Sequence, residues 1–154
     1  LDAALAELVA TREREGARTA EMILSRCDAI AAQVGFVRQR RPEVVARLRE
    51  KLTGRLADLP AGADPGRLEQ EMVIVAQRMD VEEELDRLDA HLAEIRDVLR
   101  RPEPVGRRLD FLMQELNREA NTLSSKSQDL ETTRFAVDMK VLIEQMREQV
   151  QNIE

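Results

Sequence analysis

A short acidic segment that ends in the only histidine is the part of this sequence best suited to chemistry. Asp80, Glu84, Arg87 and His91 follow one another at steps of four, three and four residues, a spacing that predicts one face of an α-helix. Glu83 lies one helical turn from both Asp80 and Arg87. Carboxylates one turn apart can share an oxygen-ligated Mg²⁺ or Mn²⁺. We therefore predict Asp80, Glu83 and Glu84 as metal ligands and, with His91, as catalytic residues.

The side chains that are absent narrow the chemistry further. With a single histidine and no tyrosine, one subunit cannot use two histidines as acid and base. Metal or carboxylate chemistry is left, with His91 as a ligand, a proton carrier or a phosphate contact. The alternative is that the three carboxylates only form surface ion pairs with Arg78 and Arg87.

A second polar row follows in the run from Gly106 to Ser127. Asn and Gln are poor helix-interior residues unless their amides find partners, so the row indicates buried hydrogen bonds or ligand contacts. Contacts at a subunit interface explain it as well as RNA does. We predict a supporting polar network of Asp110, Gln114, Glu115, Asn117, Glu119 and Asn121.

Both ends of this run offer groups that suit a phosphate. Gly106 precedes two arginines, and a serine-rich segment with one lysine closes the run. Free backbone N–H groups and guanidinium groups at a helix start bind anions well. Alternatively, the arginines pair with neighbouring acids and the serines cap the next helix. The predicted RNA or phosphate contacts are Arg87, Arg107, Arg108, Arg118, Lys126 and Ser125.

The elements that must position these residues are all predicted to be helices. Charged residues make up 35% of the 154 residues and aromatic residues only 2%, so the core has to be built from aliphatic side chains, methionine and alanine. No segment has the pattern of a strand. We expect an all-α fold of about five long helices, packed as hairpins or a bundle with coiled-coil-like contacts. Narrow apolar stripes bury little surface alone, so we also expect an oligomer.

Prolines and glycines set the predicted boundaries. Residues 1–63 should hold two helices that serve oligomerisation and present a basic surface to RNA, and residues 64–154 should form a C-terminal helical domain. The linker LPAGADPG separates them, with Asp64 as a helix N-cap. The first predicted helix runs to about Gln39, where Arg41-Pro42 ends or kinks it, and the second runs from Glu43 to about Asp58. The third runs from Pro65 to about Arg100, the fourth from Arg107 to Leu123 before an SSKS loop, and the fifth from Asp129 to Ile153.

Charge, cysteine content and the motifs of the sequence limit the class of protein that it can encode. The net charge of -6 hides a basic stretch, residues 38–55, and an acidic one, residues 69–97, which could meet an RNA backbone and its metal ions or be solvated helix faces. Cys27 is expected to be a small core residue. No membrane span or leader, nucleotide loop or zinc spacing is present. A cytoplasmic protein without a nucleotide cofactor is the expectation.

Three segments resemble a known family, namely QRMDVEEELDRLDAH, GRRLDFLMQELNREANTLSSKS and the closing IEQMREQVQNIE. They are similar to the C-terminal domain of the YicC family of stress-induced proteins. The resemblance implies a metal-dependent endoribonuclease, a hydrolase that cleaves RNA with Mg²⁺ or Mn²⁺, assembled as a closed ring, a homohexamer. It also carries the five residues of the acidic segment over as site residues.

The resemblance further implies an N-terminal domain that precedes this region and is absent from the chain. The alternative function is therefore a non-catalytic helical module for oligomerisation or RNA binding, whose chemistry lies in that missing domain. A coiled-coil adaptor that binds another protein through the seam from Val81 to Leu99 is a third possibility.

Overall fold

The computed structural model describes residues 1–58 and 65–152, and within these ranges the chain is helical without any β-strand. The helices are α1 (Asp2–Ala57), α2 (Pro65–Arg78), α3 (Glu82–Val98), α4 (Gly106–Lys126) and α5 (Leu130–Gln151). The predicted all-α class is confirmed. Most of the predicted linker, Asp64 as a cap and Ile153 lie outside the described residues. None of the described helices is long and apolar enough to cross a membrane.

Four of the helices form an antiparallel bundle. Helix α1 packs against α3 and α5, and α4 packs against the same two helices. The pairs Arg38–Asp89 and Arg96–Asp28 show that α1 and α3 run in opposite directions. Contacts between α1 and α5 and between α3 and α4 give the same relation. The shorter α2 packs against the C-terminal part of α1.

The core consists of the apolar stripes of these four helices. The predicted stripe of α3 is buried except for the half-buried Leu99, and the inner faces of α4 and α5 are buried with it. Cys27 is fully buried, with its Sγ 3.9 Å from the Sδ of Met146. Burial raises the pKa of the Cys27 thiol to about 11, so the thiol stays protonated and unreactive. The prediction of a small apolar core residue is confirmed.

Pro42 does not end the first helix, so this one of the two predicted effects, an end or a kink, is wrong. Helix α1 continues through Pro42 to Ala57, although proline removes one hydrogen bond and crowds the preceding turn. Tertiary contacts hold the helix on both sides of this point. Val37 and Val44 are buried in the core, and Arg38 and Arg40 form ion pairs with α3 and with the start of α5. The two predicted N-terminal helices are therefore one.

The predicted third helix is divided in two at Asp80. Helix α2 ends at Arg78, and α3 begins at Glu82 after Val81, whose backbone is not helical. The Oδ1 of Asp80 accepts a hydrogen bond from the Glu82 N–H at 3.0 Å. In a continuous helix this N–H would instead donate to a carbonyl oxygen of the preceding turn. Asp80 therefore lies before α3 rather than on its face. The SSKS loop is also corrected, because α4 extends through Ser125 to Lys126.

One ion pair fixes the start of α5 to the middle of α1. Arg40 donates two hydrogen bonds to Asp129, at 2.6 and 2.9 Å. Asp129 is also the N-cap of α5, accepting from the Thr132 N–H and Oγ1. The Arg40 guanidinium holds the pKa of the Asp129 carboxyl far below its usual range. A carboxylate that is stabilised in the folded state makes folding pH-dependent.

We predict that Asp129→Asn lowers the free energy of unfolding at pH 7. Asparagine also caps helices well, so this variant removes the charge and spares much of the cap. Because the folded-state pKa is depressed, the contribution of Asp129 is complete above its unfolded pKa of about 3.9 and is lost as the pH falls toward the folded value. Urea unfolding of both proteins at several pH values measures the difference. A difference that stays constant from pH 7 to pH 3 would contradict the assignment.

Candidate metal centre at the contact of α3 with α4

Three side chains from two helices converge on one point of the bundle surface. A ring nitrogen of His91 and one carboxylate oxygen each from Glu115 and Glu119 all lie within 4.8 Å of one another. His91 is on α3, while Glu115 and Glu119 are one turn apart on α4. Residues four apart share a helix face, and the antiparallel packing brings that face against His91. Sequence spacing alone does not reveal this group, because it joins two helices.

The environment of the group is partly shielded from water. Only 4% of the Glu119 side chain is exposed, and 23% of Glu115. Each carboxylate has one long ion pair: Arg87 Nη1 is 3.8 Å from Glu119, and Arg118 Nη1 is 3.7 Å from Glu115. Neither distance is a hydrogen bond. The two carboxylates therefore lie in a half-buried site where their arginine partners are in ion-pair range but do not hydrogen-bond to them.

The donor set fits a divalent cation. Carboxylate oxygens suit Mg²⁺ and Mn²⁺, and an imidazole nitrogen suits later transition metals, so one histidine with two glutamates favours Mn²⁺ over Mg²⁺. Bonds of about 2.1 Å allow two ligand atoms of one ion to lie at most about 4.2 Å apart. Small rotations of the side chains would bring the three donors within that limit.

The structure does not bring the three predicted metal ligands together. Asp80 lies before α3 and receives the Glu82 N–H. Glu83 is exposed and accepts a hydrogen bond from Arg87 one turn along the helix. Glu84 is buried and paired with Lys126. Among the residues of ranges 1–58 and 65–152, the compact group of potential ligands is instead the one around His91.

The buried Glu84 forms an ion pair with the partly exposed Lys126, which joins the start of α3 to the end of α4. Lys126 Nζ is 2.6 Å from Glu84 Oε1 and also donates to the Asp80 carbonyl oxygen at 3.3 Å. The second carboxylate oxygen, Oε2, is buried without a hydrogen-bond partner in the described chain. The ammonium group of Lys126, a predicted phosphate contact, is committed to this pair. Glu84 accordingly has a structural contact where the sequence predicts a catalytic one.

The other predicted phosphate contacts differ in how free they are. Arg107 is exposed and forms no ion pair with a residue of the described ranges. Arg108 pairs with Glu94 and lies over the Phe111 ring, 5.2 Å from its centroid. Ser125 donates to the Thr122 carbonyl within α4. Arg107 is therefore the most available of the predicted cations at this end of α4.

The predicted polar row lies mostly on the surface of α4. Gln114, Asn117 and Asn121 are exposed, and the only hydrogen bond described within the row joins Gln114 to Asp110 at 3.3 Å. These amides do not form a buried network within the described chain. As exposed groups they are accessible to solvent. Glu115 and Glu119, predicted as supporting residues, are the exceptions and belong to the candidate centre.

We predict that Lys126→Met lowers the free energy of unfolding by about 1–3 kcal/mol, because it leaves the buried Glu84 carboxylate unpaired. The double variant Glu84→Met with Lys126→Met should recover much of this stability, since an apolar pair can replace a buried ion pair. Arg107→Met is the matched control, an exposed cation of the same helix. Chemical denaturation measures all four proteins. Equal stability of Lys126→Met and Arg107→Met would argue against the pair.

Comparison with known proteins identifies the family of the chain. The family described as "Endoribonuclease YicC-like, C-terminal" matches residues 37–154. Two similar proteins are each named "Probable endoribonuclease YicC": one from Haemophilus influenzae is 50% identical over 99% of this chain, and one from Clostridioides difficile is 38% identical over 98%. The chain spans 53% of the length of each. The resemblance seen in the sequence is confirmed, and the chain belongs to the YicC-like endoribonuclease family.

Proposed function

We propose that this chain is the helical part of an endoribonuclease that cleaves RNA at the centre formed by His91, Glu115 and Glu119, with a divalent metal. The convergence of these three donors is the observation that carries the proposal. The names of the two relatives support cleavage of RNA as the reaction. When bound, Mn²⁺ or Mg²⁺ would supply positive charge that polarises a phosphoryl oxygen.

The residues of the chain supply the remaining functions of such a site. Arg87 and Arg118 each lie near one carboxylate of the centre at more than hydrogen-bond distance. Their side chains are 47% and 70% exposed, so both guanidinium groups can be reached by a phosphate that enters from solvent. Guanidinium groups bind phosphate through paired N–H donors. We assign them to hold the RNA backbone beside His91, which then acts as a metal ligand or proton carrier.

We further propose that the protein acts as an oligomeric ring, as the family resemblance implies. The first half of α1 contributes few buried residues, and its first buried side chain is Ile23. Leu5, Leu8 and Val9 in this segment are each more than half exposed. Apolar side chains in one exposed stretch are typical of protein contact surfaces. This segment would therefore contact another subunit.

We predict that Glu115→Gln and Glu119→Gln lower RNA cleavage by the full-length protein at least about 100-fold, since removing a carboxylate from a catalytic group has effects of this size. Glu83→Gln is the comparison variant for the acidic segment, a carboxylate that pairs with Arg87 and lies outside the centre. Cleavage is measured with Mn²⁺ and with a chelator. Calorimetric titration of Mn²⁺ into each protein gives a second readout that does not depend on activity.

The outcomes separate the candidate centre from the acidic segment that the sequence predicts. If Glu83→Gln abolishes cleavage and Glu119→Gln does not, the centre lies at the start of α3. If all variants cleave at the parent rate and bind Mn²⁺ equally, the chemistry lies in the part of the protein outside this chain. That last result would favour the alternative function, a non-catalytic module for oligomerisation or RNA binding.

We predict that Leu5→Ser with Leu8→Ser lowers the oligomeric state without unfolding the bundle, because neither side chain contributes to the core. Sedimentation velocity reports the assembly, and circular dichroism reports the helix content. Val73→Ser with Ile74→Ser, which changes exposed apolar residues of α2, is the control. An unchanged assembly in the α1 variant would exclude this contact surface.

A further inference from the structure

A cavity of about 370 Å³ lies where the four-helix bundle narrows to the hairpin of α1 and α2. Helix α5 begins at this level and α3 has not yet started, so α1 alone continues beside α2. The cavity is open on one side, and its volume is within the usual range for ligand sites. It is lined by Arg40, Val44, Arg47, Leu48, Lys51, Met79, Gln128, Asp129, Leu130 and Glu131.

The three cations of the cavity differ in availability. Arg40 is held by two short hydrogen bonds to Asp129 and serves the fold. Arg47 pairs with Glu43 on the same exposed helix face, at 2.7 Å, and such surface pairs are weak. Lys51 forms no ion pair with a residue of the described ranges. Arg47 and Lys51 are one helical turn apart and can therefore act together on one anion.

The acidic residues that line the cavity form ion pairs with cations other than Arg47 and Lys51. Asp129 is committed to Arg40 and to the cap of α5. Glu131 pairs with Arg134 at 3.1 Å. Arg47 and Lys51 thus remain the charges most easily recruited by a ligand that enters from solvent, and that ligand should be an anion.

The apolar side chains that line the cavity indicate a ligand larger than a single phosphate ion. Val44 and Met79 are almost fully buried, and Leu48 and Leu130 extend the apolar surface beside them. Gln128 adds an amide with donors and an acceptor. A phosphate alone would leave the apolar part of the cavity unused, whereas a nucleotide unit places its phosphate on cations and its sugar or base on aliphatic side chains. An RNA strand offers such units in series.

We propose that this cavity binds one nucleotide unit of an RNA strand, with its phosphate on Arg47 and Lys51 and its sugar against Val44, Met79 and Leu130. This inference rests on the proposed function, because it takes RNA as the substrate, but it concerns a site apart from the candidate metal centre. None of its lining residues belongs to the group around His91. The site holds the strand and takes no part in cleavage.

The test measures RNA binding without cleavage. Fluorescence anisotropy with a labelled single-stranded RNA is recorded for the full-length protein in a chelator, over a series of salt concentrations. Lys51→Gln with Arg47→Gln should weaken binding about tenfold and reduce the salt slope by about 0.7, because the two cations neutralise one phosphate of a single strand. Arg49→Gln is the matched control, because it lies between the two on α1 but faces Glu69. Circular dichroism confirms that the helices remain.

Two further experiments test whether the cavity is the binding site and whether the bound anion belongs to RNA or to a free nucleotide. Leu130→Trp fills the mouth of the cavity without changing charge, and it should weaken RNA binding as well. Adenosine monophosphate and inorganic phosphate should compete only at concentrations far above that of RNA. Equal affinity for the mononucleotide would overturn the proposal in favour of a free nucleotide. Equal effects of the Arg49 control and the double variant would overturn it in favour of diffuse attraction.

The result is separable from that for the metal centre. In the chelator, Arg49→Gln should bind the labelled RNA as the parent does, while the double variant should bind it weakly. If Glu119→Gln cleaves normally and the double variant still binds RNA weakly, the cavity proposal stands although the proposed centre fails. If the double variant binds RNA as tightly as the parent, the cavity proposal fails whatever the cleavage result.

Discussion

The antiparallel packing of α3 against α4 places two carboxylates, Glu84 and Glu119, in a seam that water hardly reaches. A buried ionised carboxylate destabilises a fold unless a cation or hydrogen bonds compensate it. Each has a cation from the opposite helix, Lys126 for Glu84 and Arg87 for Glu119. Together with the apolar contacts between the two helices, the pair of Lys126 with Glu84 sets the register of α3 on α4, and that register places His91 beside Glu115 and Glu119.

The two buried carboxylates differ in how closely their cations approach them. Lys126 is at 2.6 Å from Glu84, within hydrogen-bond distance, whereas Arg87 is at 3.8 Å from Glu119. Glu84 therefore joins the start of α3 to the end of α4, while Glu119 remains able to bind a ligand. A buried and weakly compensated carboxylate beside a histidine is the kind of group that functional sites contain.

The basic and the acidic stretch of the sequence pair with each other in the fold. Because α1 runs antiparallel to α2 and α3, its basic stretch meets their acidic one, and Arg38 binds Asp86 and Asp89 while Arg49 binds Glu69. Much of the basic surface predicted to face RNA is thus used within the chain. What remains is confined to a few cations, among them Lys51 at the cavity and Arg107 at the start of α4.

The sequence by itself determined the helical class, the buried stripes and the family, because these depend on residue spacing within single helices and on matching segments. It placed His91, Glu115 and Glu119 among the residues of interest but could not join them. The tertiary structure decided that Pro42 is accommodated, that Asp80 precedes α3, that Lys126 pairs with Glu84, and that the candidate ligands come from two helices. Each of these outcomes depends on contacts between segments far apart in the chain, which local periodicity does not encode.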